Sequence, residues 1–249
     1  MTPTHQEIRN FGLREYVKAA RGTDFAGKLD RLLLSKQTIM DNLARLALPS
    51  LPHITLPISR FIDKPDAAFQ ALDAQPDAFY ASLSHSKDNK PLLRKFALDK
   101  QQTVELAKTD SYDVDTIFIR EEPTREYSGS VMVNDDQRSI HLEMCRGHLA
   151  RLAHAGYVDY SLKRDAFLGS FKFNEEADQP TRQTMLRAIQ AIPNPNTGQP
   201  NRELSRDCEY LPGYYEFLFS KIGSGALKLA FTEYNDVKPF YKLDPESSL

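Results

Sequence analysis

Two strand-like runs near the end of the sequence carry oxygen-bearing side chains on largely apolar supports. Residues 213–219 contain Glu216, and residues 227–235 end in Glu233 and Asn235. Side chains alternate along a strand, so Glu233 and Asn235 are predicted to share one face with the apolar residues at the alternating positions before them. An apolar face that ends in a carboxylate and an amide is unlike an ordinary solvated surface. This pattern indicates a site for a ligand that prefers oxygen atoms.

The residues between these runs can bring the two runs together. Residues 220–226 are rich in Gly and Ser, which is typical of a hairpin loop. If Glu216 lies opposite Phe231, Glu233 is its diagonal neighbour, about 7–8 Å away at the backbone. Carboxylates at that separation can converge on one or two Mg²⁺ ions, which prefer oxygen ligands and often bridge to nucleotide phosphates.

The elements that must position these side chains follow from the periodicity of the rest of the chain. Residues 5–48, 61–72 and 181–192 have helical spacing of apolar side chains, and Asp99 can cap a helix that runs to about residue 108. Extended or strand-like segments are predicted at 51–57, 79–83, 91–96, 116–120, 129–133 and 139–144. This order predicts a mixed α/β (α+β) fold with antiparallel sheet. Three aromatic side chains are expected in the core: Phe167, Phe171 and Phe173.

Composition excludes several classes of partner. The 249 residues carry a formal net charge of −2, with a pI near 6.3, so nothing in the charge favours nucleic acid or an acidic membrane surface. No apolar run approaches the roughly 18 residues of a membrane-spanning helix, and the first residues lack the pattern of a secretory signal. Two cysteines, Cys145 and Cys208, make neither a disulfide framework nor a zinc cluster. We therefore expect a reduced, soluble protein of the cytoplasm that binds neither nucleic acid nor membrane.

The motif of Glu233, Tyr234 and Asn235, followed by Pro239 and preceded by Glu216-Phe217, resembles the ATP-grasp superfamily. In that superfamily an acidic residue and an aromatic residue lie on one strand, and Glu-x-Asn follows one hairpin later. The resemblance implies that Glu216, Glu233 and Asn235 bind Mg²⁺ and that ATP is the nucleotide. It also implies two α+β subdomains whose antiparallel sheets enclose a nucleotide cleft.

Residues 116–129 look like the interdomain hinge of the same superfamily, where a strand ends in an acidic residue beside adenine. The resemblance assigns Glu126 to the ribose hydroxyls, and Glu121 or Glu122 to the adenine amino group. A charged acceptor suits hydroxyl donors, because charge-assisted hydrogen bonds are the stronger class. The alternative for each glutamate is a solvated acidic turn. Residues 35–57 are similar to the superfamily's opening segment, or else are only a helix and a proline-rich connection.

The sequence also departs from the superfamily's pattern. Only about 35 residues precede the opening segment, so we expect a helical extension over 1–34 and subdomains over 35–115 and 116–249. The strand predicted at 79–83 lacks the usual phosphate-binding lysine. Nearby substitutes are Lys87, Lys90, Arg94 and Lys95, and Lys95 is preferred because it faces out of a strand-like run.

The function that the resemblance implies is an ATP- and Mg²⁺-dependent ligase that joins a carboxylate to an amine through an acyl phosphate. Arg120 and Arg202, with Arg125 and Arg146 as further candidates, would bind an anionic substrate or stabilise the transferred phosphoryl group. The substrates would be a small carboxylate and a small amine, amino acids or peptides among them, and a homodimer is a further expectation. The alternatives are an ATP-grasp-type small-molecule kinase and a degenerate, non-catalytic protein that binds nucleotide or another partner.

Overall fold

The computed structural model describes residues 36–72, 78–85, 91–109, 113–134, 136–148, 158–201, 203–222 and 226–235. Within these ranges the chain forms two compact units, which divide at residues 41/42, 49/50 and 124/125. The strand Thr116–Glu121 belongs to the unit that holds residues 50–124, so the units divide later than the predicted boundary after residue 115. The helical extension predicted over residues 1–34 lies outside the described residues.

The unit of residues 50–124 is built on a four-stranded antiparallel sheet. Its elements are β1 (His53–Pro57), α2 (Ile58–Asp63), α3 (Pro65–Gln70), β2 (Phe79–Ser84), β3 (Pro91–Leu98), α4 (Lys100–Ala107) and β4 (Thr116–Glu121). They follow α1 (Lys36–Arg45), which begins the described chain. The strand order is β1-β4-β2-β3, and every neighbouring pair is antiparallel.

One face of this sheet is apolar and packs against helices. Phe79 and Leu83 of β2 lie on this face, together with Ile117 and Ile119 of β4, and they form one core with buried residues of the helices. Alternation therefore assigns the other face to Tyr80 and the residues in line with it. The capping box at Asp99, whose carboxylate accepts from the Gln102 amide, starts α4 as predicted.

The helix predicted over residues 61–72 is two short helices. Lys64, between α2 and α3, has a non-helical backbone with φ −141° and ψ 64°. The cause is Pro65, because a proline ring disfavours the helical conformation of the residue before it and supplies no backbone N–H.

The second unit is built on a six-stranded antiparallel sheet. Its elements are β5 (Arg125–Val133), β6 (Ile140–Arg146), β7 (Tyr160–Arg164), β8 (Phe171–Phe173), α5 (Gln179–Gln190), β9 (Gly213–Ile222) and β10 (Ala226–Asn235). The strand order is β10-β9-β5-β6-β7-β8. The two antiparallel sheets and their helices confirm the predicted α+β fold class.

Helix α5 packs on the face of this sheet that carries the aromatic side chains of β9. The Arg187 guanidinium lies 5.3 Å from the centroid of the Phe219 ring and donates to the carbonyl of Leu227 at 2.8 Å. Buried side chains of α5, including Met185 and Ile189, point to the same side of the helix. The opposite face of the sheet therefore carries the remaining, more polar residues of β9 and β10.

Strands β7 and β8 were not predicted. Arg164 of β7 is 2% exposed and donates to the carbonyls of Arg138, Ser205 and Arg206, which secures this end of the sheet to the chain before β9. The expectation that Phe167 lies in the core is wrong, because its side chain is 77% exposed in the turn between β7 and β8. None of the helices in the described ranges is long and apolar enough to cross a membrane.

Candidate functional site

The two predicted carboxylate ligands lie directly opposite each other in the β9–β10 hairpin. Glu233 pairs with Glu216, whereas Phe231 pairs with Phe217. A β-bulge at Thr232 supplies the extra residue, so the predicted pairing of Glu216 with Phe231 is wrong. Because directly opposed residues share a face, the Glu216 and Glu233 side chains stand side by side on the sheet.

Because of the bulge, the residues that share a face with Glu233 differ from those predicted. Phe231 was expected on the same face as Glu233, but its ring lies 6.0 Å from that of Tyr215 and 6.4 Å from that of Phe217. Both aromatic residues flank Glu216 in sequence and therefore project to the opposite face. The bulge thus separates the apolar part of β10 from its polar end.

The surroundings of the carboxylates add further polar groups. The Tyr214 hydroxyl donates to Glu216 Oε1 at 3.0 Å. Asn235, the third predicted ligand, pairs in register with Tyr214, and its side chain lies outside the described part of the structure. Within the described residues, no group of three or more His, Cys, Asp and Glu side chains lies close enough to hold a metal ion. The described carboxylate pair is thus Glu216 and Glu233.

The row of polar side chains formed by Glu233 and Glu216 continues into β5 and β6, through two residues that were not predicted to belong to a site. Ser130 pairs with Glu216 on one side and with Glu143 on the other, so the three side chains share a face. Ser130 is fully buried and Glu143 is 3% exposed. The Ser130 Oγ atom has no hydrogen-bond partner among the residues that the structure describes. The signal that could have identified Glu143 is its position between the apolar, buried residues Leu142 and Met144.

His141 lies beside Glu143 on this face, with its Nε2 atom 3.7 Å from Glu143 Oε1. Burial, and then the charge of Lys163, lower the pKa of His141 from 6.5 to about 3. Dense packing of neighbouring atoms has this effect although the side chain is 22% exposed. The imidazole is therefore neutral near pH 7 and adds no positive charge beside Glu143.

In the four-stranded unit, Arg120 lies on the face opposite to the core residues that pack against the helices. Its guanidinium is 6% exposed, lies 4.9 Å from the centroid of the Tyr80 ring and bonds Glu122 Oε2 at 3.4 Å. The Arg120 Nε atom is buried without a hydrogen-bond partner among the described residues. One donor of a buried guanidinium is thus open.

Two buried hydroxyls share that face with Arg120. Thr55 of β1 and Ser82 of β2 each pair in register with Phe118 of β4. Arg120 and Tyr80 pair with each other in the neighbouring row on the same face. The Thr55 and Ser82 hydroxyl oxygens, like Arg120 Nε, have no partner in the described part of the chain. Native structures leave few buried polar groups unbonded, so these three groups on one face are able to donate hydrogen bonds to a ligand.

The register also distinguishes the basic residues predicted to replace the missing strand lysine. Lys95 pairs with Ala81, on the face of Leu83 that the helices cover, whereas Arg94 pairs with Ser82 on the face of Arg120. Lys87 and Lys90 lie outside the described residues.

The remaining predicted side chains are placed as follows. Glu121 pairs with Phe79, on the face opposite to that of Arg120. Glu122 is the ion-pair partner of Arg120. Glu126 Oε2 lies 2.9 Å from the Lys221 ammonium on the neighbouring strand. Glu122 thus contacts a predicted catalytic residue, Arg120.

Among the other arginines, Arg202 lies outside the described residues. Arg146 is exposed and donates from Nε to the Tyr160 hydroxyl at 2.9 Å. That hydrogen bond is the largest cause of a raised pKa at Arg146. Arg125 pairs with Ser220 at the start of β5. The catalytic roles of these residues stay predictions.

Neither the known protein-family models nor the curated proteins contain a match to this chain. Solved structures do resemble it over most of its length. D-alanine-D-alanine ligase from Coxiella burnetii is 11% identical, with a TM-score of 0.39, over 82% of this chain and 48% of its own. N5-carboxyaminoimidazole synthetase from Staphylococcus aureus is 11% identical, with a TM-score of 0.41, over 82% and 44%. VanG D-Ala:D-Ser ligase from Enterococcus faecalis is 13% identical, with a TM-score of 0.40, over 89% and 54%.

The chain spans about half of the length of these structures. At these identities and TM-scores, the likeness assigns neither a substrate nor the role of any residue.

Proposed function

We propose that this protein is an ATP- and Mg²⁺-dependent ligase that joins a carboxylate to an amine through an acyl phosphate. The observation that carries the proposal is the direct opposition of Glu216 and Glu233 on one face of the six-stranded sheet. Directly opposed like charges destabilise a strand pair, and a cation bound by both carboxylates offsets that cost. Their oxygen atoms, with the Asn235 position next on that face, form the donor set that Mg²⁺ prefers.

The four-stranded unit carries groups that could bind an anionic ligand, as the proposed reaction requires. Arg120 Nε and the hydroxyls of Thr55 and Ser82 are buried donors without partners in the described structure. We assign them, with Arg94 on the same face, to a phosphate-like anion bound by this unit. Arg94 takes this role in preference to Lys95, because Lys95 shares the helix-covered face. A guanidinium suits phosphate, because its donors match the acceptor oxygens in geometry and charge.

The proposed reaction has two steps. A substrate carboxylate oxygen attacks the γ-phosphorus of ATP, the bond to the β-phosphate bridging oxygen breaks, and ADP leaves. The amine nitrogen then attacks the acyl carbon, inorganic phosphate leaves, and the nitrogen loses its proton. Bound Mg²⁺ would neutralise phosphate charge, and Arg120 and Arg202 would bind the anionic substrate or the transferred phosphoryl group.

The assignments around the nucleotide base remain part of the proposal. Glu122, or Glu121, would accept from the adenine amino group, and Glu126 would accept from the ribose hydroxyls. Glu126 would have to exchange its contact with Lys221 for the ribose, since that ammonium lies 2.9 Å away. Small carboxylates and amines, amino acids among them, are the substrate class that the sequence resemblance implies.

The first experiment measures thermal unfolding of the full chain with and without Mg-ATP. A ligand at about 100 times its dissociation constant stabilises the folded state by about 2.7 kcal/mol, which gives a measurable shift. Glu233→Gln should lose most of the Mg²⁺-dependent part of the shift, whereas Glu175→Gln, at an exposed loop position, should retain it. Absence of any shift with millimolar Mg-ATP would refute the nucleotide site.

A second experiment identifies the reaction. With pools of amino acids as carboxylates and hydroxylamine as nucleophile, an acyl phosphate gives a hydroxamate and releases ADP and phosphate. Phosphorylation of a hydroxyl with no hydroxamate would identify a kinase instead. Binding of Mg-ATP without release of ADP for any pool would identify a non-catalytic nucleotide-binding protein, a reading that the absence of the strand lysine favours.

A further inference from the structure

Ser130 and Glu143 extend the carboxylate row beyond the two predicted metal ligands. Ser130 stands between Glu143 of β6 and Glu216 of β9, paired with both. Its hydroxyl oxygen is buried and has no hydrogen-bond partner among the described residues. A buried hydroxyl that bonds nothing costs free energy, and it stands in the row between two carboxylates. We propose that Ser130, Glu143 and Glu216 form a subsite for the primary ammonium group of an organic amine.

The spacing of the row favours an ammonium group over a metal ion. Strands in a sheet lie about 4.8 Å apart, so Glu143 and Glu216, two strands apart, are about 10 Å apart at the backbone. A Mg²⁺ ion needs its ligand oxygens at about 2.1 Å. In the part of the chain that the structure describes, no three carboxylate, imidazole or thiol groups converge in this way.

An ammonium group fits the same row. It has three N–H donors and no acceptor, and its hydrogen bonds to carboxylates are about 2.7–2.9 Å long. Three acceptors stand in order across neighbouring strands: the Glu143 carboxylate, the Ser130 hydroxyl and the Glu216 carboxylate. The donors of a primary ammonium group match these acceptors in number, and two of the acceptors bring negative charge.

This inference deepens the proposed function, on which its link to the reaction rests. It assigns the amine substrate to the class of primary amines that bind as ammonium cations and lose one proton to a carboxylate of this row before the nitrogen attacks. Glu216 would then contribute to both the metal site and the amine subsite, whereas Glu143 and Ser130 would contribute to the amine subsite alone.

The test measures binding of a small amine to the full chain without nucleotide. Thermal unfolding is recorded with ethylammonium chloride and with tetramethylammonium chloride at equal ionic strength. Both cations carry one positive charge, but tetramethylammonium has no N–H donor. Ethylammonium should stabilise the protein more than tetramethylammonium. Equal effects of the two cations would overturn the inference.

Variants locate the subsite. Glu143→Gln removes a charged acceptor and should weaken ethylammonium binding about tenfold or more. Ser130→Ala should weaken it about threefold to tenfold without loss of folding, since it removes a hydroxyl that bonds nothing. Glu175→Gln, an exposed control, should leave binding unchanged. If Glu143→Gln folds, wild-type ethylammonium binding by this variant would refute the subsite. If it does not fold, the same result for Ser130→Ala would refute it.

A Mg-ATP measurement on the same samples separates the two proposals. A Mg-ATP shift with no preference for ethylammonium would leave the ligase proposal standing and refute the amine subsite. A preference for ethylammonium that depends on Glu143, without any Mg-ATP shift, would support the ammonium site and refute the proposed ligase.

Discussion

Neutralising Glu233 should have opposite effects on stability with and without Mg²⁺. Glu233 and Glu216 are directly opposed across the hairpin. Unit charges about 5 Å apart repel by about 0.8 kcal/mol in water and more in a partly buried site. Opposed like charges in sheets cost about 0.2–1 kcal/mol by experiment. Both side chains are half-buried, so we expect Glu233→Gln to raise the unfolding free energy of the metal-free protein by about 0.5–1 kcal/mol.

Mg²⁺ should reverse this order. At a concentration about 100 times the dissociation constant, Mg²⁺ would stabilise the wild-type chain by about 2.7 kcal/mol. Glu233→Gln lacks one of two carboxylate ligands and should gain little. The wild-type chain should then be the more stable by about 2 kcal/mol, which is the difference between these two effects. A reversal in the order of the two unfolding free energies when Mg²⁺ is added would therefore indicate a metal ion bound between the carboxylates.

The assay is urea denaturation at neutral pH and low salt, with EDTA or with MgCl₂. Glu216→Gln is an informative comparison, because it also weakens the hydrogen bond that the Tyr214 hydroxyl donates at 3.0 Å. Its gain in the metal-free state should therefore be smaller than that of Glu233→Gln. If Glu233→Gln and the wild-type chain respond to Mg²⁺ equally, the carboxylate pair does not bind the metal.

Three further substitutions test separate parts of the structure. Gly129→Ala should destabilise the fold by about 1–3 kcal/mol in urea denaturation, because its Cβ would lie 2.5 Å from both the Glu143 carbonyl oxygen and the Phe217 ring; an unchanged midpoint would contradict this close approach. Arg120→Met should cost about 3–5 kcal/mol, because it removes a cation that pairs with the buried Glu122 carboxylate, and a variant with full stability and full Mg-ATP binding would refute both roles of the guanidinium. His141 has its pKa lowered from 6.5 to about 3, so the unfolded chain binds the proton first and stability falls as the pH drops from 6.5 towards 3. His141→Gln should reduce that pH dependence, and identical slopes for variant and wild type would refute the shift.

Much of the fold could be predicted from local sequence signals. The apolar alternation in β9 and β10, the capping residue Asp99 and the helical spacing of α5 each depend on residues close together in the chain, and each element formed. Strands β7 and β8 could not be predicted in this way. They have five and three residues, and β7 buries Arg164, a residue type that local patterns assign to the surface.

The candidate site was harder to predict because it depends on pairing between strands. Sequence alternation alone placed Phe231 on the face of Glu233, and a single bulge at Thr232 reversed that assignment. The open donors of Arg120 and Ser82 are likewise invisible in the sequence, because a hydrogen bond is present or absent only once neighbouring strands are in register.

Packing on the apolar face of the six-stranded sheet favours the register of β5 against β9, which in turn sets the order of residues on the polar face. Gly129 pairs with Phe217, whose ring occupies the space that a side chain at residue 129 would need. A slip of β5 by one residue would place a serine there, and would also move every β5 side chain to the other face. The contact therefore favours one register, and in that register Ser130, the next residue, stands between Glu216 and Glu143. The requirement for glycine beneath an aromatic ring on one face thus positions a hydroxyl between two carboxylates on the other.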